Sequence, residues 1–181
     1  SSGDTSTNFS SDEFKVFHLI EYYRNYAHLI ADTNPLRKRK DRGFKTSLSH
    51  FGLSEKDLTK KFTVSSEIGL QNASLQEILD KLNKIYTSKI GFEIQSVRNE
   101  EEYLWLKDLA ENRYLNRMMT KEQKIKALQS LNQAVVFEEF LGKKFIGEKR
   151  FSIEGGEGTI PALESIIAKA AELDTKEVVI G

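Results

Sequence analysis

Cysteine is absent from all 181 positions. That removes disulfides, cysteine–zinc sites and thiol nucleophiles from the available chemistry. It fits a reducing compartment without requiring one. Net charge is absent too, because lysine plus arginine and aspartate plus glutamate number 27 each. A dedicated nucleic-acid binder relies on surplus positive charge, so no nucleic-acid partner is expected. No apolar run approaches the roughly 20 residues of a membrane span, and no membrane partner is expected. Histidine is scarce: His18 and His28 lie ten residues apart in one predicted helix, and His50 stands alone. That spacing gives no two-ligand turn, so no metal site is expected. His28 is instead expected to donate a hydrogen bond at the end of its helix, where a cation also suits the dipole.

What is present describes a folded chain. Hydrophobic residues make up 39% of the sequence, enough for a core and too many for a disordered polymer. The length allows one domain, or a helical module plus the start of a second. Residues 1–10 are rich in Ser, Thr, Gly and Asn and are predicted to be disordered. The sequence opens Ser1-Ser2-Gly3, without methionine or a charged-then-apolar targeting segment. Both ends are expected to belong to a longer protein.

Capping signals and apolar spacing place the helices. Ser10 with Glu13 forms a capping box opening a helix to about Ala31. Val16, Ile20, Tyr23, Ala27 and Ile30 form its buried stripe. Asn34-Pro35 ends it, since the residue before proline avoids helical geometry. The run Arg-Lys-Arg-Lys-Asp-Arg at 37–42 reads as a phosphate-binding patch or as a solvated connector. Charge pattern favours the connector, and no interleaved aromatic makes a stacking platform. Ser54 caps a short helix over 54–61. Ser74 and Glu77 form a second capping box before Leu75, Ile78, Leu79, Leu82 and Ile85, an amphipathic helix to about Tyr86. Ile90 to Ile94 alternates as a short strand or a packed connector. Asn99 opens a helix burying Tyr103, Leu106 and Leu109 and ending near Asn112. Thr120 and Gln123 open a longer one to about Leu141, burying Ile125, Leu128, Leu131, Val135 and Phe140. Gly142 and Gly147 break the chain.

The last stretch, from Lys149, carries the chemistry. Gly155-Gly156-Glu157-Gly158 has neither a Gly-Lys-Ser/Thr nor a Gly-x-Gly-x-x-Gly pattern, and the nearby Glu154 and Glu157 would repel phosphate. The glycines are predicted to make a tight turn with positive φ. Thr159 caps the next helix, with Pro161 in its first turn and Ile160, Leu163, Ile166, Ile167 and Ala170 on its packing face. Val178-Val179-Ile180 is predicted to be a strand. Arg150-Phe151-Ser152 has two readings. One is structural, an arginine paired with Glu154 or Glu157 beside a buried phenylalanine. The other is carboxylate recognition by the planar guanidinium fork. No nucleophile–base–orienter set occurs, so no catalytic residue is assigned.

The residues Lys149-Arg150-Phe151-Ser152-Ile153-Glu154-Gly155-Gly156, Ile160-Pro161 and Glu177-Val178-Val179-Ile180-Gly181 closely resemble the E1 component of the 2-oxoglutarate dehydrogenase complex. So do Phe137-Glu138-Glu139-Phe140-Leu141 with Lys144-Phe145, Tyr86 with Ile90-Gly91-Phe92-Glu93, Tyr23-Arg24-Asn25-Tyr26-Ala27-His28, and Asn34-Pro35-Leu36. In that family a Met-Ala-His-Arg-Gly-Arg run follows the position of Gly181. Ala27 stands where the family usually has glycine, and Asn34 where it has aspartate. Ile94-Gln95-Ser96 replaces a frequent Tyr-Met-His.

The resemblance implies a mainly α fold: a helical N-terminal module over 11–147, leading into the first helix–strand unit of a truncated α/β thiamine-diphosphate-binding domain over 148–181. It implies a parent enzyme that decarboxylates 2-oxoglutarate with thiamine diphosphate and Mg²⁺ in the tricarboxylic acid cycle. That enzyme then succinylates a lipoyl group on the E2 dihydrolipoyl succinyltransferase. The parent would be a homodimer, cytoplasmic in a bacterium or in the mitochondrial matrix of a eukaryote, the former favoured. Arg150, Phe151 and Ser152 would be substrate-binding. The family's Gly-Asp-Gly…Asn cofactor motif does not occur here, so this piece alone is expected to bind no cofactor and to be inactive. The alternatives are a non-oxidative 2-oxoglutarate decarboxylase, a 2-oxoadipate E1, or a non-catalytic helical binding module.

Overall fold

A computed structural model describes residues 11–37, 39–40, 42–45, 47–116 and 119–181. The expectations for residues 1–10, including the Ser10 half of the first capping box, lie outside the described residues. The chain divides into two compact units, Ser1–Arg117 and Met118–Gly181. It is mainly helical, as the apolar spacing predicts.

The first unit is built on two helices, α1 (Ser11–Tyr26) and α2 (Leu75–Tyr86). Val16, Leu19, Ile20 and Tyr23 of the first, with Ala27 just past its end, pack with Leu75, Ile78, Leu82 and Ile85 of the second in one core. Phe51, Phe62, Val64 and Ile68 fill it from the intervening segment. The predicted single helix to Ala31 stops sooner, at Tyr26, and a 3₁₀ turn Ala27–Leu29 continues the path. Glu13 does not need Ser10 for a role. Its carboxylate accepts from the Thr63 N–H at 2.8 Å, the Thr63 hydroxyl at 3.0 Å and the Val64 N–H at 2.9 Å. It thereby ties the start of α1 to a short antiparallel ladder, β1 (Lys61–Phe62) with β2 (Ala73–Ser74).

The local caps form as read. Ser74 and Glu77 make their reciprocal box, and burial of Leu75, Ile78, Leu82 and Ile85 follows the predicted stripe, with Leu79 half-buried. Asp57 accepts from both the N–H and the hydroxyl of Ser54 at 2.8 Å, although the segment is a 3₁₀ turn rather than a helix. Residues 90–94 form the packed connector and not the strand, with Phe92 against the core. Gly69 adopts φ +70°, and a Cβ there would sit 2.2 Å from Asn112 Oδ1. Conformation and space both require glycine at that turn.

The third helix, α3 (Glu100–Asp108), is capped by Asn99 as predicted. It then widens into a π turn, Leu109–Arg113. Tyr103, Leu106 and Leu109 are only half-buried. The turn instead directs Ala110 and Glu111 inward. Glu111 meets Arg24 of α1, and their side chains are 1% and 2% exposed. Arg24 Nε donates to Glu111 Oε1 at 2.7 Å and Nη2 to Oε2 at 2.9 Å, a bidentate fork. Arg24 also donates to the Glu67 carbonyl at 2.9 Å and to Glu21. The buried Tyr86 hydroxyl donates to Glu111 Oε1 at 2.5 Å. Burial opposes the charge on Arg24, but Glu111 and then Glu21 more than offset it, so its pKa lies above the ordinary value. Burial, with the Glu111 charge behind it, raises the Tyr86 pKa as well.

The second unit pairs α4 (Lys121–Lys144) with α5 (Thr159–Glu172). Thr120 and Gln123 form the predicted capping box. The predicted buried face is corrected: Ile125, Leu128, Val135 and Phe140 are exposed, and Leu131 is half-buried. The half-buried or buried positions are Ala127, Ser130, Leu131, Ala134, Glu138, Leu141 and Gly142, and Ser130 Oγ donates to Glu164 of α5 at 2.5 Å. Ile166 and Ile167 of α5 are likewise exposed, while Ile160, Leu163 and Ala170 are half-buried. Two helices have no third layer to enclose an apolar stripe. Thr159 is the first helical residue of α5 and makes no side-chain cap; Gly158 holds that position. Val178 to Ile180 joins no ladder, because β1 and β2 form the single sheet among the described residues.

Arg24→Ala leaves the Glu111 carboxylate buried without its cation, so urea denaturation is expected to show a loss of about 3–5 kcal/mol. Tyr86→Phe is expected to cost about 1.5–3 kcal/mol at neutral pH, the range for a hydrogen bond to a charged group. The raised Tyr86 pKa contributes stability that is complete below an unfolded tyrosine pKa of about 10 and is lost as pH rises past it. Stability measured against pH should therefore fall less steeply above about pH 10 in Tyr86→Phe than in the parent chain.

Candidate functional site

The loop from Phe145 to Gly158 folds back on the last turns of α4. Glu138 holds it twice. Its backbone carbonyl accepts from Arg150 Nη1 at 2.7 Å, and its carboxylate accepts from the Ile153 N–H at 2.6 Å. Gly142 gives the guanidinium its seat, because a Cβ there would lie 2.6 Å from Arg150 Nη1. This glycine sits inside α4 and does not break it, which corrects its predicted role as a helix stop. Gly147, at φ +85°, does follow the helix end. Gly155 takes φ +86°, the positive value predicted for the glycine turn.

Val135, Glu138, Glu139, Gly142, Lys143, Arg150, Glu154 and Glu157 line an open groove of about 410 Å³. Arg150 reaches a backbone carbonyl rather than Glu154 or Glu157, which corrects the structural reading of its pairing. Phe151 is 88% exposed and not buried, with the Lys149 ammonium 5.5 Å from its ring centroid. Ser152 is exposed beside it. The sequence-predicted trio thus shares one loop, but Arg150 alone lines the groove. Glu138 and Gly142 were not predicted to belong to it. The acceptor on Glu138 is a backbone atom, and a small residue on a helix carries no signal of what it seats.

The electrostatics of the groove disfavour anions. Four carboxylates face two cations among its described lining residues. Glu157 accepts from the Gly155 N–H at 3.0 and 3.1 Å. Its own backbone N–H and that of Gly155 hold its carboxyl below the usual range. The N–H that a glycine turn would offer to a phosphate is therefore already taken by a carboxylate. The carboxylate-rich lining of this groove does not suit a diphosphate, and no group of three His, Asp or Glu among the described residues is arranged to hold a metal ion.

The histidines serve packing. His18 stands edge-on to Phe51 at 5.9 Å, and His50 to Tyr22 at 5.7 Å. His28 Nδ1 is buried without a partner among the described residues, so that nitrogen does not fill the predicted donor role. Its backbone carbonyl accepts from Arg39 instead, at 2.7 Å. Among the described residues no helix is long and apolar enough to cross a membrane.

No family model matches the chain. Curated relatives do. The 2-oxoglutarate dehydrogenase E1 component of Coxiella burnetii (strain RSA 493 / Nine Mile phase I) is 34% identical over 171 residues, covering 94% of this chain and 18% of that protein. The E1 component of Geobacillus sp. (strain WCH70) is 39% identical over 166 residues, covering 90% and 17% respectively. The 2-oxoglutarate dehydrogenase E1/E2 component of Corynebacterium glutamicum is 38% identical over 176 residues, 92% of this chain and 14% of its own length. The chain spans less than a fifth of the curated relatives it matches. Over at least nine-tenths of its residues, this chain belongs to the 2-oxoglutarate dehydrogenase E1 component family.

Proposed function

We propose that the chain is the N-terminal portion of a 2-oxoglutarate dehydrogenase E1 component. The parent enzyme decarboxylates 2-oxoglutarate with thiamine diphosphate and Mg²⁺, and the succinyl group passes to lipoyl on the E2 dihydrolipoyl succinyltransferase. The observation that carries this reading is identity of 34–39% across at least 90% of the chain with proteins of that name. The names specify 2-oxoglutarate, which supports it over 2-oxoadipate. The E1/E2 name of one relative supports an E2 partner. The parent works as a homodimer in this reading. Thiamine diphosphate, held by residues outside this stretch, supplies the carbanion chemistry.

Within that enzyme, residues 148–181 open the cofactor-binding domain, and Val178 to Ile180 pairs with a strand supplied by the rest of the polypeptide. Arg150, Phe151 and Ser152 approach the substrate. Arg150 is braced on the Glu138 carbonyl, so its remaining N–H groups are fixed in direction for a carboxylate. The exposed Phe151 ring offers an apolar wall for the substrate's methylene groups. The groove's carboxylate excess is reversed by the His-Arg-Gly-Arg run that the family carries just beyond the position of Gly181.

In the full-length enzyme, Arg150→Ala is expected to raise KM for 2-oxoglutarate about 10- to 100-fold, the equivalent of a charge-assisted contact, with a smaller change in kcat. An unchanged KM with a lowered Tm would make Arg150 a brace for α4 only. The isolated 181-residue chain is expected to give no binding heat with thiamine diphosphate and Mg²⁺ in isothermal titration. Micromolar binding there would overturn the assignment of the cofactor to residues outside this stretch.

A further inference from the structure

The run at 37–42 reads in sequence as a solvated connector, but its described residues Arg37, Arg39, Lys40 and Arg42 line one concave surface. Asn34 Oδ1 accepts from the backbone N–H of Leu36 at 2.9 Å and of Arg37 at 3.3 Å, turning the chain back. Arg39 Nη1 donates to the carbonyls of His28 at 2.7 Å and Ala31 at 3.4 Å, pinning the turn beyond the end of α1. The result is concave. Thr33, Asn34, Arg37, Arg39, Lys40 and Arg42 line a pocket of about 510 Å³, a size common for small-ligand sites.

Four cations therefore converge on one space, with no carboxylate among its described lining residues. The side chains of Arg37, Lys40 and Arg42 are exposed and make no hydrogen bond or ion pair among the described residues. Asp32, which precedes the loop, is taken by Lys89. Like charges held together repel, and a multivalent anion between them removes that penalty. Guanidinium forks suit phosphate oxygens, and an ammonium adds a point charge. A nucleic acid fits less well. The chain as a whole is neutral, and none of the described lining residues is an aromatic that could stack a base.

We propose that this pocket binds a small molecule bearing three or more adjacent phosphate groups, which a diphosphate does not match. The site is independent of the Arg150 groove and of the family's chemistry. The probe is inorganic tripolyphosphate, titrated into the 181-residue chain at constant ionic strength and followed by calorimetry and thermal unfolding. The expected result is saturable one-to-one binding and a Tm that climbs with ligand concentration as mass action requires. Orthophosphate should bind at least tenfold more weakly, because it spans fewer of the cations. The double variant Arg37→Ala/Arg42→Ala should weaken tripolyphosphate binding at least tenfold. Lys40→Glu should weaken it as well, with an unchanged circular dichroism spectrum in both cases. A response that never saturates, equal binding of citrate, or undiminished affinity in the variants would overturn the proposal. Tight binding of a single-stranded oligonucleotide that tripolyphosphate fails to displace would overturn it too, and would assign the pocket to nucleic acid.

Discussion

A guanidinium with 2% of its side chain exposed cannot stand without an anion, and Arg24 finds its anion 87 residues away on Glu111. Much of the first unit is constrained by that requirement. Arg24 leaves α1 toward the interior, so the helix must present a charged side chain within an apolar stripe. Glu111 reaches it only because α3 widens into a π turn, a distortion that shifts side-chain direction by a fraction of a turn. Tyr86 at the end of α2 supplies a further donor to the same carboxylate, and the Glu67 carbonyl takes one guanidinium N–H. Four segments distant in sequence are thereby held in one register. Replacing a whole buried pair by apolar residues is often neutral or stabilising, whereas removal of one partner is costly. The pair's effect is therefore chiefly on which packing arrangement is allowed.

The motifs by which the chain resembles its family acquire a physical meaning here. Tyr23-Arg24 and Tyr86 belong to this cluster or to its edge, with the Tyr23 hydroxyl donating to Asn83 at 3.2 Å. Gly91 passes over His28, where an added Cβ would meet the histidine Cβ at 3.6 Å. Phe92 stands edge-on between Tyr86 and Tyr114 at 6.2 and 5.4 Å. In the first unit, then, the recognisable residues hold the scaffold.

What was legible in the sequence divides along the range of the interaction. The boxes at Ser74–Glu77 and Thr120–Gln123 join residues three apart, and their geometry is complete within one turn. The stripe of α2 was legible because its partner surface lies in the same unit. The stripe of α4 was not, because periodicity reports that a face is apolar and says nothing of what covers it. Ile125, Leu128 and Phe140 keep the right spacing and remain exposed. The π turn and the 3₁₀ turns leave no periodic signature of their own. Arg150 stood out by its motif, but its acceptor on Glu138 and its seat on Gly142 did not, since neither depends on a distinctive side chain.

The two charged concavities behave oppositely, and the difference bears on what this stretch can recognise alone. Around Arg150, four carboxylates outnumber the cations among the described lining residues, so an incoming carboxylate meets net repulsion until more positive charge is supplied. Around Arg37, Lys40 and Arg42 the cations face no lining carboxylate among the described residues, a setting that suits an anion. A 2-oxo acid brings two carboxylate groups at most and gains little from the first setting. A polyphosphate concentrates its charge over a few bonds and matches the second. The proposed anion pocket and the proposed substrate loop thus rest on different residues in different units.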